Sequence, residues 1–176
     1  MFAWGANNDG QLGLGDTTDK NVPSSTSIRW IAVAGGSDLT AAIRADGTLW
    51  TWGSNYFGQL GLGDTASRYV PTQVGTDSDW VEVAAGYAYS IARKANGTFW
   101  GWGENSFGEL GLGDNARRLA PVQIGTDTDW VRIIAGGGSK TFAIKSTGTL
   151  WACGYNTYFD LGLGDTANRN TLTKVG

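Results

Sequence analysis

The sequence predicts an all-β fold, a β-propeller of four-stranded antiparallel blades, with three and a half blades in its 176 residues. Two observations predict it. The first is a repeat of about 50 residues, the period of one supersecondary unit copied and stacked. All nine tryptophans lie on it: Trp30, Trp80 and Trp130 are 50 apart, Trp50, Trp100 and Trp151 share one site, and Trp4, Trp52 and Trp102 share another. Cys153 takes the fourth place of that last set, and Gly-Leu-Gly-Asp recurs ending at Asp16, Asp64, Asp114 and Asp165. The second is that each copy holds four short segments of strand-like alternation between glycine-rich turns, with no helical periodicity of useful length. Four strands in about 50 residues make a blade, whose faces are buried only by neighbouring blades.

The elements follow in order. The chain opens on a third strand, Phe2-Ala3-Trp4-Gly5, so residues 1–29 form a half blade of strands C and D. Residues 30–79 and 80–129 are full blades, and 130–176 is a terminal, atypical one. In the copy that starts at Trp80, Trp80–Gly86 is strand A, running into a glycine turn, and Tyr89–Arg93 is strand B. Ala95-Asn96-Gly97-Thr98 reads as a hairpin turn in which Asn-Gly supplies the positive φ values of a two-residue loop. Phe99–Gly103 is strand C, aromatics alternating with small residues, and Pro121–Gly125 is strand D, the outer edge where a proline is tolerated.

These residues also carry a family resemblance. The order Trp-x-x-Val-Ala-x-Gly, Asp-Gly-Thr-Leu-Trp-x-Trp-Gly, Asn-x-x-Gly-Gln-Leu-Gly-Leu-Gly-Asp-Thr and Pro-x-x-Val-Gly resembles the regulator of chromosome condensation repeat, as in the run from Trp50 to Thr65. The resemblance covers essentially the whole chain. It implies propellers that close with seven blades, and it fixes the fold far better than the function. Members include an exchange factor for a small GTPase, a secreted inhibitor of β-lactamases, and bacterial and phage proteins, which these near-identical repeats resemble most. One departure is the His-Ser pair that commonly opens strand B: here the positions read Leu39-Thr40, Tyr89-Ser90 and Lys140-Thr141, and the chain has no histidine.

Composition narrows the function. Twenty-eight glycines and 12% aromatic residues suit many tight turns between aromatic-rich strands. A net charge of −3, with no basic run beyond Arg117-Arg118, argues against nucleic acid as a partner. No apolar run approaches membrane-spanning length, so no membrane insertion is expected. No signal peptide is visible at the N-terminus. A virion or extracellular location is favoured over the nucleus.

No catalytic residues, cofactor or metal are expected. There is no His, the single Cys153 replaces a repeat tryptophan and reads as a small buried residue, and one Gly-Leu-Gly-Asp carboxylate per blade cannot supply the six to eight oxygens that calcium needs. Arg93 stands where its copy-mates are Ile43 and Ile144; if buried it needs a partner, Glu82 or Glu104, and otherwise it reaches out to the rim. In an up-and-down meander the A–B and C–D loops share one rim, and the B–C and D–A loops the other. The second rim gathers Asp46, Asp77, Asp79, Asp127 and Asp129 and reads as solvated turns. The first gathers Tyr56, Phe57, Tyr87, Tyr89, Phe107, Lys140, Tyr158 and Phe159. Aromatics that vary between copies of a strict repeat suit a protein-binding surface, the other reading being rings that pack over neighbouring loops and stiffen the rim.

Three and a half blades leave bare edges, an aggregation liability unless covered. Other chains or copies, or a longer polypeptide, are expected to complete the ring, with Phe2 and Trp4 near one contact and Cys153, Leu161 and Leu172 near the other. The expected function is a non-enzymatic structural or protein-binding module of a larger assembly, such as a phage or bacterial particle or appendage. The alternatives are a secreted enzyme inhibitor that uses the aromatic rim, and a carbohydrate-binding lectin.

Overall fold

The computed structural model describes residues 1–26 and 28–176; its elements are fourteen β-strands. A two-stranded sheet pairs β1 (Phe2–Gly5) with β2 (Lys20–Ser25). The first full blade is β3 (Ala32–Gly35), β4 (Leu39–Ile43), β5 (Leu49–Gly53) and β6 (Arg68–Gln73). The second is β7 (Trp80–Ala85), β8 (Tyr89–Lys94), β9 (Phe99–Gly103) and β10 (Arg118–Gln123). The third is β11 (Trp130–Gly136), β12 (Lys140–Lys145), β13 (Leu150–Gly154) and β14 (Arg169–Lys174). Each blade is an antiparallel meander in sequence order, and the inner strands β3, β7 and β11 touch in succession.

Register repeats from blade to blade. Thr40 faces Trp52, Ser90 faces Trp102 and Thr141 faces Cys153 across the central strand pair. Because alternate side chains leave opposite faces of a strand, each blade offers one set to each neighbour. Ala92 and Trp102 pack with Ile43, Leu49 and Val74 of the first blade. Ile91, Phe99 and Leu110 pack with Trp130, Ile133 and Ala143 of the third. The cores therefore lie between blades, and full burial of each large apolar side chain contributes about 1.5–3 kcal/mol.

Two local expectations change or sharpen. The B–C turn of the second blade is a three-residue loop, not a two-residue one: Gly97 N–H bonds Lys94 O, and Lys94 N–H bonds Thr98 O. Only Gly97 has positive φ; Asn96 keeps an ordinary backbone because its side-chain oxygen accepts the Thr98 N–H at 3.1 Å. Arg93 is paired with Glu82 at 2.9 Å, and Glu82 also accepts the Ile133 N–H of the third blade at 3.3 Å.

The open ends differ from expectation on one side. Phe2 and Trp4 are exposed at the N-terminal end. Cys153 and Leu172 instead face inward against the second blade, close to Gly111, and Leu161 is enclosed in its own loop core. These three do not line an open contact, because the alternation of β13 and β14 turns Cys153 and Leu172 toward the preceding blade. The outward face of the third blade carries Ile134, Phe142, Ile144 and Leu150 in their place, all on the side opposite Ala143.

The aromatic rim as candidate functional site

The C–D loop of every blade is built around one asparagine. Asn55 is fully buried; its amide donates to Asp64 O at 3.0 Å and Ala66 O at 3.1 Å, and its oxygen accepts Leu60 N–H at 2.9 Å. Asn7, Asn105 and Asn156 repeat the pattern. The Gly-Leu-Gly-Asp carboxylates cap the following turn and hold a basic side chain: Asp64 accepts Ala66 N–H at 2.9 Å and pairs with Arg68 at 2.6 Å. The side-chain bonds from Arg68, Arg118 and Arg169 keep the Asp64, Asp114 and Asp165 carboxyls below their ordinary range. Among the described residues no three His, Cys, Asp or Glu side chains converge as metal ligands.

The first three of these loops are also tied to the next blade. The Gln59 carbonyl accepts the Ser90 hydroxyl at 2.8 Å and the Trp102 indole N–H at 2.9 Å. Gln11 O does the same for Thr40 and Trp52, both at 2.8 Å. At the third blade, Glu109 O takes the Thr141 hydroxyl at 2.7 Å, and the Cys153 thiol, at 3.5 Å, replaces the indole. The loops thus stand on fixed scaffolding, and the Gln59 side chain accepts the Phe57 N–H at 2.9 Å and fixes the tip.

On this rim Tyr56 is 68% exposed, Tyr158 77%, and Phe57 and Phe107 39% each. Tyr87 and Phe159 are exposed as well. Tyr87 helps line a cleft of about 350 Å3, otherwise lined by small residues at and beside the three A–B turns. Phe107, Tyr155 and Tyr158 form a continuous edge-to-face row, with ring centres 5.0 and 6.3 Å apart. The sequence reading missed Tyr155; its copy-mates Ser54 and Glu104 are polar, and its variation was the available signal.

Two expected members fare differently. Tyr89 is fully buried and its hydroxyl donates to Lys140 O, so it belongs to the core between the second and third blades and not to the rim surface. Lys140 is half-buried and its ammonium is held by Asp160 at 2.8 Å.

Phe159 has a φ of +62°, the one non-glycine residue with positive φ among the described residues. Its copy-mates are Gly10, Gly58 and Gly108, where an added Cβ would run into Tyr69, Leu119 or Asn170 of the next blade's outer strand. A bulky side chain there costs backbone energy.

On the opposite rim Asp77 and Asp79 stay in solvent contact, as expected of turn carboxylates, and also hold Lys94 at 2.6 and 3.1 Å, and that ammonium lies 4.8 and 5.0 Å from the rings of Trp80 and Trp100. Asp127, Asp129, Lys145, Trp130 and Trp151 repeat the box. In the first blade Arg44 lies over Trp30 and Trp50, and the position that matches Asp79 is Arg29.

With this geometry in view, similarity to known proteins is informative. Family models described as Regulator of chromosome condensation (RCC1) repeat match residues 1–43, 46–93 and 96–144, and again 30–59 and 80–109. The chain belongs to this family and is an RCC1-like propeller module. It is similar to the Ultraviolet-B receptor UVR8 of Arabidopsis thaliana, with 48% identity over 52 residues, 27% of this chain and 12% of that protein. Human WBSCR16 superposes with a TM-score of 0.88 at 25% identity, over 99% of this chain and 48% of that one. Prp20p of Saccharomyces cerevisiae gives 0.87 at 23%, over 99% and 46%. The chain therefore spans about half the length of these solved propellers.

Proposed function

We propose that the chain is a non-enzymatic, protein-binding propeller module of a larger assembly, and that its partner seats on the rim of C–D and A–B loops. The observation that carries this is the set of exposed aromatics, Tyr56, Phe57, Tyr87, Phe107, Tyr158 and Phe159, on loops fixed from beneath by buried asparagines. Rigid aromatic anchors bind with little loss of side-chain entropy and dominate interface energetics. Protein ligands are in keeping with the family: Prp20p has binding properties toward Gsp1p and histones, and Kap60 has been solved bound to it. The acidic balance of this chain favours a partner other than nucleic acid, on a particle surface or outside the cell.

The test compares rims. A photo-crosslinking residue at position 107 or 158 should give partner adducts, and one at 46 or 127 should not. Phe57→Ser and Phe107→Ser should each weaken partner binding by more than ~1 kcal/mol. Equal adducts from both rims would sink the proposal. Saturable binding of glycans, abolished by the same changes, would make the module a lectin.

A further inference from the structure

We infer that Glu109 is a pH-sensitive latch in the seam between the second and third blades, which closes that seam most tightly while its carboxyl is neutral. The copy-mates of Glu109 are Gln11, Gln59 and Asp160; Asp160 lies in the last loop, so of the three seams within the chain two carry a neutral amide at this place. Glu109 is fully buried. One carboxyl oxygen accepts the Phe107 N–H at 2.8 Å; the other, shielded from solvent, has no hydrogen-bond partner among the described residues. Its main-chain oxygen is the acceptor that ties the second blade to Thr141 and Cys153 of the third.

The groups around it do not offer a free cation. Lys140 on β12 is held by Asp160. Glu104, at the base of the same loop, adds repulsion. Tyr89 on β8 and Cys153 on β13 are buried, and burial pushes both well above their ordinary values, so they stay neutral through the physiological range. The Ser139 hydroxyl lies nearby but makes no hydrogen bond to the unpartnered oxygen. An ionised Glu109 would thus be a buried carboxylate with half its hydrogen bonds unmade, a costly state. Burial raises the Glu109 carboxyl above its ordinary range; the backbone N–H groups of Glu109 and Phe107 and the Ser139 hydroxyl oppose this and are outweighed.

The sign follows from linkage. A carboxyl with a raised value in the folded state binds its proton more tightly there than in the unfolded chain. Its contribution to stability is fully present below the ordinary Glu value and is lost as pH rises through the folded value. Asp16, Asp64, Asp114 and Asp165, held low, act in the opposite sense at more acid pH. They are common to all variants and cancel in a difference. Because Glu109 also holds the Phe107 N–H, its charge would set the position of that rim tip; this consequence rests on the aromatic-rim proposal, whereas the stability test does not.

The experiment is thermal unfolding of the unaltered chain, Glu109→Gln and Gln59→Glu from about pH 4 to about pH 8, across the Glu range. Glu109→Gln restores the residue of the other seams. It should melt with the unaltered chain at the acid end and about 2–4 °C above it at the neutral end, the shift that ~1 kcal/mol gives in a chain of this size. Amide exchange at Leu110, in the core of the seam, should accelerate with pH, beyond its intrinsic rise, only where Glu109 is present. Gln59→Glu should acquire a second fall, at the seam of the first and second blades. A difference that stays constant with pH, a Glu109→Gln chain less stable at neutral pH, or a Gln59→Glu chain without the added fall would each overturn the inference.

Discussion

The two rims use the same residue types in opposite ways. On the rim of B–C and D–A loops, aromatics and carboxylates are engaged with one another: Lys94 sits between Trp80, Trp100, Asp77 and Asp79, and Lys145 between Trp130, Trp151, Asp127 and Asp129. On the other rim the polar groups are buried beneath the loops, and the aromatics at the tips are left facing outward. The difference teaches that an aromatic residue becomes available to a partner when backbone groups, and not rings, hold its loop. The Lys94 box shows the balance of forces. Burial alone would lower its ammonium, but Asp77 and Asp79 together outweigh that and raise it.

The largest test of this contrast removes the loop support. Asn105→Ala would orphan the Leu110 N–H and the Asp114 and Ala116 carbonyls, and should cost about 3 kcal/mol in urea unfolding. Next is the opposite rim. Lys94→Met or Lys145→Met should cost about 1–2 kcal/mol, and Arg44→Met, at a box without the matching carboxylates, less than ~1 kcal/mol. If the rims are separate supports, Asn105→Ala and Lys94→Met should add within about 0.5 kcal/mol. A large coupling would show that the contrast is drawn too sharply. Phe159→Gly should stabilise the chain by about 1 kcal/mol through relief of its backbone, seen as a higher unfolding midpoint. The smallest effect is expected at Phe57: Phe57→Ser should leave stability within about 0.5 kcal/mol, whereas Phe107→Ser also loses the edge-to-face contact with Tyr155 and should cost about 1 kcal/mol. A larger loss would make these rings packing elements and remove them from the proposed site.

Much of the fold was legible because blade stacking imposes a strict repeat. The Trp spacing gave the blades, the alternation gave the strands, and Cys153 in a tryptophan place read correctly as a small buried residue. Part of the candidate rim was legible too: Tyr56, Phe57, Tyr87, Phe107, Tyr158 and Phe159 all emerge exposed. Tyr89 was misplaced because the start of strand B belongs equally to loop and strand in the sequence; only the third blade, laid over it, decides that it is core. The ion pairs of Asp77 and Asp79 were not read from the sequence because Lys94 reaches them from the neighbouring strand, where pairing sets it opposite Trp80.

The sequence by itself determined the blade as a unit, its four strands and the rim on which each loop emerges, since these follow from periodicity and turn chemistry that act locally. Tertiary structure alone decided which carbonyl each indole meets, and that Glu109 is sealed at a place where the preceding seam holds the neutral Gln59. Those outcomes depend on the approach of two blades, and contact between faces so distant along the chain leaves no local mark on the residues that make it.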